Sequence, residues 1–370
     1  MTFDHYKVLA QKRLPKMFFD YIEGGSWDES GVRRNREAID GIEVIHRVCV
    51  PWDNLSLETR IVTQKSSMPV YLSPCGLTGM LRANGEILAA KAAAEINIPY
   101  CYSMMSINDL TYIPNPPEWN KLWFQLYPLK DRKIMEWMID QAKFKECSAL
   151  VLTLDAPVIG TRMRDIQNGL SVPPRFKMKH ISQVMSKPFW FMDQMSSDSY
   201  TYQFLSRALG GGTIPSLSSW VKTQADPTWD WDGVKWIRNI WSRKLILKGL
   251  LHIHDVASAF KIGADAVILS NHGARQLNFS SAPVDVLSEI ARQFPKNEIM
   301  IDGGVQSGCD VARLLGLGAT AVGIGRAYLY ALAGSGQNGV SSFLSSMSHD
   351  LLSAQILAGI ESRSRSLGEV

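Results

Sequence analysis

The sequence predicts an α/β protein built as a (β/α)8 TIM barrel, with an N-terminal helical extension and a long insertion after the fourth strand. Three observations lead there. From Val70 onward, short apolar runs alternate with longer helical patterns, the signature of a parallel sheet with crossover helices. The runs number eight. Polar residues and glycines gather at their C-terminal ends, the face at which such a barrel carries its chemistry. An open doubly wound sheet is the alternative arrangement of the same elements.

The chain opens with a helical stretch over Phe3–Tyr21 that Gly24-Gly25 breaks, placed to cap the barrel or pack at its rim. The strands then read as Val70–Pro74, Tyr100–Ser103, Trp123–Tyr127, Ala149–Asp155, Leu245–Gly249, Ala266–Asn271, Ile299–Gly303 and Ala321–Gly325. Helices over Asn84–Glu95, Lys130–Phe144, His254–Lys261 and Ser307–Leu317 lie between them. The connection 169–224 is far longer than an ordinary βα loop. Its first part sets Arg175, Lys177, Lys179 and Lys187 beside Phe189, Trp190 and Phe191, a mixture suited to a membrane interface. An active-site lid or a subunit contact would use the same residues. The whole chain, 1–370, is expected to form a single barrel domain.

Composition narrows the class further. A 370-residue chain with 46% hydrophobic and 20% charged residues can bury a large core. Its net charge of +4 is dispersed, which argues against a nucleic-acid partner. The cysteines Cys49, Cys75, Cys101, Cys147 and Cys309 stand far apart, so neither a zinc knuckle nor a disulfide framework is expected and a reducing compartment is. Residues Met1–Ala10 lack the apolar core of a signal peptide, and no run of eighteen apolar residues suggests a membrane span. His252-Ile-His254 has no cluster of further ligands in sequence, so no metal is expected.

The chemistry concentrates in Ser270-Asn-His-Gly-Ala-Arg-Gln276, directly after the apolar run that ends at Leu269. His272 can exchange a proton near neutral pH, and Arg275 can grip a carboxylate with two hydrogen bonds. A base beside an anion clamp points to a small acid as substrate. Asp302-Gly303-Gly304 and Gly323-Ile-Gly325-Arg326, each leading into a helix, read as a phosphate cradle with Arg326 as counter-charge. Gln125, Tyr127, Thr153, Asp155 and Lys248 are polar where buried parallel strands should be apolar. Lys248 is suited to an anionic part of a cofactor, and Asp155 to orienting His272. Of Arg162 and Arg164, one is expected to face the site.

Together these segments resemble the FMN-dependent (S)-2-hydroxy-acid dehydrogenase and oxidase family. The likeness also covers Leu14-Pro-Lys-Met-Phe-Phe-Asp-Tyr21, Glu23-Gly-Gly25, Trp123-Phe-Gln-Leu-Tyr127, Leu152-Thr-Leu-Asp155 and Leu247-Lys-Gly249. It implies FMN at the barrel mouth, with Ser73, Ser103, Gln125, Thr153, Lys248 and Ser270 around the flavin and Asp302 on the ribityl side. Gly304, Gln306, Gly325 and Arg326 would stand at the phosphate. Substrate would be held through Arg162 and Arg275, with Tyr21 and Tyr127 adding hydroxyl groups, His272 as base and Asp155 behind it. The resemblance further implies a homo-oligomer, with a tetramer suspected.

Several positions depart from the family pattern. Gln306-Ser307 stands where relatives carry arginines, Cys75 where many carry threonine, and Gly169 where several carry arginine. The segment Ser103-Met-Met-Ser-Ile107 is shortened and lacks a tryptophan, and Gly76 replaces alanine. Both changes predict a roomier pocket around Met104, open to an aromatic or long-chain 2-hydroxy acid, of which a mandelate-like substrate is favoured. Pro173-Pro-Arg-Phe-Lys-Met-Lys179 resembles the membrane segment of mandelate dehydrogenases, which implies peripheral attachment on the cytoplasmic side of the inner membrane and a quinone acceptor. L-lactate oxidation, a soluble oxidase producing hydrogen peroxide, and a barrel that binds FMN without turnover are the competing readings.

Overall fold

The computed structural model describes residues 1–170, 178–195, 202–211, 220 and 223–360. Its centre is a closed barrel of eight parallel strands, not an open sheet. They are β1 (Val70–Leu72), β2 (Tyr100–Ser103), β3 (Leu122–Leu126) and β4 (Ala149–Thr153). The other half comprises β5 (Lys244–Leu250), β6 (Ala266–Leu269), β7 (Glu298–Asp302) and β8 (Ala321–Ile324). Pairing of β8 with β1, Val322 opposite Val70, closes the ring.

Strand periodicity then places the mouth. Tyr71, Cys101, Trp123, Val151, Ile246, Ile268, Met300 and Ala321 fill the barrel interior, one from each strand in turn. Side chains of a strand alternate faces, so the residue two further on points the same way at the C-terminal end. Those residues are Ser73, Ser103, Gln125, Thr153, Lys248, Ser270, Asp302 and Gly323. A single step of the pleat therefore converts an apolar layer into a ring of polar groups. Several strands end one or two residues before the sequence reading placed them, with Ser73 and Ser270 beginning the loops after β1 and β6. At the opposite end, a hairpin of Thr59–Ile61 and Gln64–Ser66 inserts Ile61 and Val62 into the interior layer. The Val62 N–H donates to Glu298 Oε2 at 2.7 Å.

The N-terminal extension is two helices rather than one, α1 (Phe3–Arg13) and α2 (Lys16–Glu23). The break falls at Leu14-Pro15, since a proline ring displaces the residue before it from helical geometry. A third helix, α3 (Ser30–Asp40), crosses toward the ends of β6 and β7. There Asn35 and Asn271 exchange amide hydrogen bonds of 2.8 and 2.7 Å. His252 accepts from the His254 N–H and caps the helix Ile253–Ile262, which gives the His-x-His pair a structural role.

The inserted connection contributes helices Met178–Met185, Pro188–Met195 and Gln203–Ala208. Arg175 and Lys177 lie outside the described residues, as does the side chain of Lys179. Trp190 does not join an exposed apolar face as the sequence reading had it. It is buried against Phe18 with ring centroids 5.1 Å apart, and its Nε1 donates to Met80 O at 3.0 Å. Lys187 donates to the carbonyls of Gln11 and Lys12 at the end of α1. Met185, Phe189, Phe191, Met192 and Met195 stay exposed on the outer side of the same two helices. Among the described residues, no helix is long and apolar enough to cross a membrane.

Candidate active site

A cavity of about 560 Å³ opens at the C-terminal mouth of the barrel. His272 sits on its wall in a short turn, His272–Ala274, with a positive φ of 59°. Its backbone N–H donates to Ser270 Oγ at 3.0 Å, which ties the turn to the last polar residue of β6. Its Nδ1 lies 3.0 Å from Asp155 Oδ1, and its Nε2 lies 3.4 Å from the Tyr127 hydroxyl. Burial works to raise the Asp155 carboxyl, but His272 and Lys248 outweigh it and hold the group below its ordinary range. An ionised carboxylate on Nδ1 orients the imidazole and leaves Nε2 to work in the cavity.

Asp155 can stand there because of Gly249. This glycine forms a bulge in β5 between Lys248 and Leu250, with φ +95°. A Cβ at that position would lie 2.5 Å from Asp155 Cγ.

Arg275 is braced from one side only. Its Nη1 donates to the carbonyls of Tyr21 and Gly24 at 2.6 and 2.9 Å, and its guanidinium lies 4.6 Å from the Tyr21 ring centroid. Its Nη2 is buried without a partner. Arg162 also lines the cavity, with Nε 3.5 Å from Arg275 O. Burial, then the like charge of Arg275, pushes the Arg162 guanidinium down to about 10. Two neighbouring cations of this kind favour an anion between them. Arg164 instead pairs with Glu29 at 2.6 Å, so Arg162 is the residue that faces the site. Tyr21 donates to Gly76 O at 3.2 Å, and burial raises the pKa of both Tyr21 and Tyr127, so both remain hydroxyls.

The polar ring forms a second group. Lys248 Nζ lies 2.9 Å from Asp302 Oδ2 and 2.7 Å from Ser270 Oγ, while Ser73 donates to Asp302 at 3.2 Å. Burial opposes the Lys248 charge, yet Asp302 and Asp155 hold its pKa above the ordinary value. Ser103 donates to Gln125 Oε1 at 2.8 Å, leaving Gln125 Nε2 buried and unpartnered, as is Thr153 Oγ1. Buried polar groups of this kind are expected to have partners, and a heterocycle edge would supply them.

Further along, Gly304, Gln306 and Gly325 line the end of the cavity nearest α3. A side chain at Gly325 would project into open space. Arg326, the counter-charge expected from sequence, lines the cavity and is fixed by backbone carbonyls. Its three nitrogens donate to the carbonyls of Ile22, Gly273 and Gly24 at 2.8, 2.9 and 2.7 Å. Basic residues that sequence reasoning missed stand close by, Lys7 on α1 and Arg33 and Arg36 on α3. Arg36 reaches Gly304 O and Asp310, and Lys7 pairs with Glu23 at 2.7 Å. The neutral Gln306 donates its backbone N–H to Asp310 Oδ2 at 2.9 Å, within the cap of the helix Gly308–Gly316. Basic side chains, two of them paired with Glu23 and Asp310, therefore stand at this end of the cavity despite Gln306, and with the orphaned amide and hydroxyl the lining fits FMN.

Gly76 does not by itself enlarge the pocket. Its missing Cβ would lie 3.0 Å from Met105 Cβ, so the shortened loop has moved into the space the glycine leaves. Tyr202, Leu129 and Leu77 complete that wall. Tyr202 comes from the middle of the inserted connection, where no hydrophobic period marked it.

A barrel mouth that gathers a histidine–carboxylate pair, two arginines and a ring of polar strand-end residues holds the groups a flavin-dependent oxidoreductase would use. The sequence matches the FMN-dependent dehydrogenase family over residues 10–367. It is 36% identical over 360 residues to an L-lactate dehydrogenase of Pseudomonas syringae pv. syringae (strain B728a), covering 96% of this chain and 94% of that one. It is 38% identical over 357 residues to an L-lactate dehydrogenase of Acinetobacter baylyi, covering 96% and 92%. Among solved structures, the monotopic membrane protein (S)-mandelate dehydrogenase superposes with a TM-score of 0.88 at 33% identity, covering 97% of this chain and 95% of that one. A mandelate oxidase superposes with a TM-score of 0.82 at 28% identity, covering 99% and 96%. The chain belongs to the FMN-dependent 2-hydroxy-acid dehydrogenase family.

Proposed function

We propose that the protein oxidises an (S)-2-hydroxy acid with an aryl side chain, mandelate-like, to the 2-oxo acid and passes the electrons to a membrane quinone. One observation carries the reading: the His272–Asp155 pair at 3.0 Å lies beside Arg275, whose Nη2 has no partner. FMN, when bound, takes up the two electrons that leave the substrate. Ser73, Ser103, Gln125, Thr153, Lys248 and Ser270 would hold its ring, Asp302 its ribityl chain, and Gly304, Gln306 and Gly325 its phosphate. Arg33, Arg36, Lys7 and Arg326 would give the phosphate a cationic surround.

In this assignment Arg162 and Arg275 pin the carboxylate, which converts a bimolecular encounter into a positioned one. Tyr21 and Tyr127 bind through their hydroxyls. His272 Nε2 takes one proton, and Asp155 stabilises the imidazolium that results. Lys248, kept charged by Asp302, opposes negative charge that develops over the polar ring. The reaction balances as loss of two electrons and two protons from the CH–OH unit.

The wall of Gly76, Leu77, Met105, Leu129 and Tyr202 is apolar and lacks a tryptophan, which supports an aryl side chain. L-lactate is the second reading, supported by the names of the curated relatives. Anaerobic mixing with (S)-mandelate, L-lactate and glycolate tests both through loss of flavin absorbance. Faster bleaching by L-lactate would replace the aryl assignment. Stoichiometric peroxide, without reduction of a quinone analogue, would replace quinone by oxygen.

The insertion 169–224 serves in this reading as the membrane-contacting part of a single-domain chain. Phe189, Phe191, Met192 and Met195 are exposed on helices anchored from behind by Trp190 and Gln194, an arrangement suited to shallow insertion in lipid. Replacing Phe189, Phe191 and Met192 by serine should release the protein from anionic vesicles with flavin reduction intact. Unchanged vesicle binding would reject the assignment. Exposed Val44, Ile45, Val48 and Trp52 support self-association into a homo-oligomer, read by light scattering.

A further inference from the structure

Among the described residues lining the cavity, three carry a buried polar atom with no hydrogen-bond partner: Thr153 Oγ1, Arg275 Nη2 and Tyr202 Oη. Thr153 belongs to the proposed flavin edge and Arg275 to the proposed carboxylate clamp. Nothing in that assignment partners Tyr202. A buried hydroxyl without a partner is disfavoured relative to a phenylalanine of the same shape, so the oxygen itself calls for a ligand.

Tyr202 is held firmly. The Gln203 N–H donates to Ile107 O at 3.1 Å, and Gln203 Oε1 accepts from the Asp109 N–H at 3.0 Å. Arg207 Nη1 lies 2.8 Å from both Asp109 oxygens, and Phe204 is wedged between Tyr102, Phe124 and Trp137. This part of the insertion is thereby locked to the turn that carries Met105. Met105 in turn abuts Gly76 and accepts from the Leu77 N–H at 3.1 Å. Its thioether chain can shift to fit an apolar body, whereas Tyr202 is fixed.

We propose that Met105 and Tyr202 form the subsite for the substrate's side chain, with Met105 packing its apolar body and the Tyr202 hydroxyl bonding a neutral polar group at its far end. The inference rests on the 2-hydroxy-acid reading and sharpens it to side chains bearing a distal hydroxyl or carbonyl. Burial keeps Tyr202 protonated and therefore able to donate.

The probe pair is (S)-4-hydroxymandelate against (S)-mandelate, read as anaerobic flavin reduction by the holoenzyme. The wild type should favour the hydroxylated acid by about tenfold in kcat/KM, since a site built to bond a hydroxyl discriminates against the analogue that lacks it. Tyr202→Phe should bring the ratio to about one by losing rate on the hydroxylated acid alone, with flavin content unchanged. Met105→Ala should alter both acids together and keep the ratio. Bleaching by (S)-mandelate with the same ratio in wild type and Tyr202→Phe overturns the subsite alone. Absence of bleaching by any 2-hydroxy acid removes the parent reading and the subsite with it.

Discussion

Gly249→Ala tests the site at a residue that touches no substrate. The bulge holds φ at +95°, and the added methyl would lie 2.5 Å from Asp155 Cγ and 2.8 Å from Asp155 Oδ1. The backbone conformation alone costs a non-glycine residue about 1–3 kcal/mol, which a urea titration should register. Asp155 must also swing away, and its 3.0 Å contact with His272 Nδ1 is then lost. A hydrogen bond to a charged group contributes about 1.5–3 kcal/mol, equivalent to roughly 10- to 150-fold in rate where the bond orients the base. Stopped-flow flavin reduction at saturating (S)-mandelate measures that loss, and Asp155→Asn should lose a similar amount without the stability penalty. Gly249→Ala reducing its flavin within twofold of wild type, while Asp155→Asn is slow, would show that Gly249 does not position the carboxylate.

Three further outcomes follow from the assigned roles. His272→Gln should keep its flavin and lose most of the reductive rate, and near-normal bleaching would remove His272 as the base. Arg275→Met should weaken substrate binding and the rate together by about 2–5 kcal/mol, the range for truncating a buried charge contact; an effect on KM alone would argue against transition-state binding. Lys248→Met leaves Asp302 buried without its cation and should destabilise the protein by about 3–5 kcal/mol, with loss of flavin measured by absorbance ratio. The sign of the pH effect is set by the raised Lys248 pKa. Its stabilisation is fully present below the unfolded lysine value of 10.5 and lost as pH rises through the folded value, so the wild type should lose stability at strongly alkaline pH in a way Lys248→Met does not. Parallel urea midpoints for the two proteins across that range would contradict it.

Much of this site was legible because a strand repeats every two residues. Where Ile246 fills the barrel, Lys248 must reach its mouth, and the same step carries Ile268 to Ser270 and Met300 to Asp302. A polar residue at such a position stands out against an apolar run. The turn around His272 was equally readable, because a histidine and an arginine follow a strand end directly. What escaped has no period. The hairpin closing the barrel floor has strands of only three residues, too short to show alternation. Tyr202 follows a stretch without pattern, and its neighbours across the cavity are set by tertiary contact with Ile107 and Asp109. Trp190 was misplaced because an aromatic among lysines looks the same whether it faces lipid or Phe18.

The N-terminal extension belongs to the chemistry more than a capping helix would. Arg275 projects from the turn after β6, but the carbonyls that hold it are those of Tyr21 and Gly24. Arg326, at the end of β8, is held by Ile22, Gly24 and the Gly273 carbonyl. Two arginines that follow separate strands therefore converge on the C-terminal end of α2, and each brings a positive charge to carbonyl oxygens left free where that helix ends. The effect on Arg275 is directional: with Nη1 spent on the extension, Nη2 is left without a hydrogen-bond partner. In the proposed assignment the carboxylate clamp would be complete only with α2 docked, and the same docking brings the Tyr21 hydroxyl to Gly76 O. On the proposed roles, barrel strands would supply the base and the flavin-facing ring, while the segments outside the repeat would orient the clamp and, through Tyr202, shape the space for the side chain.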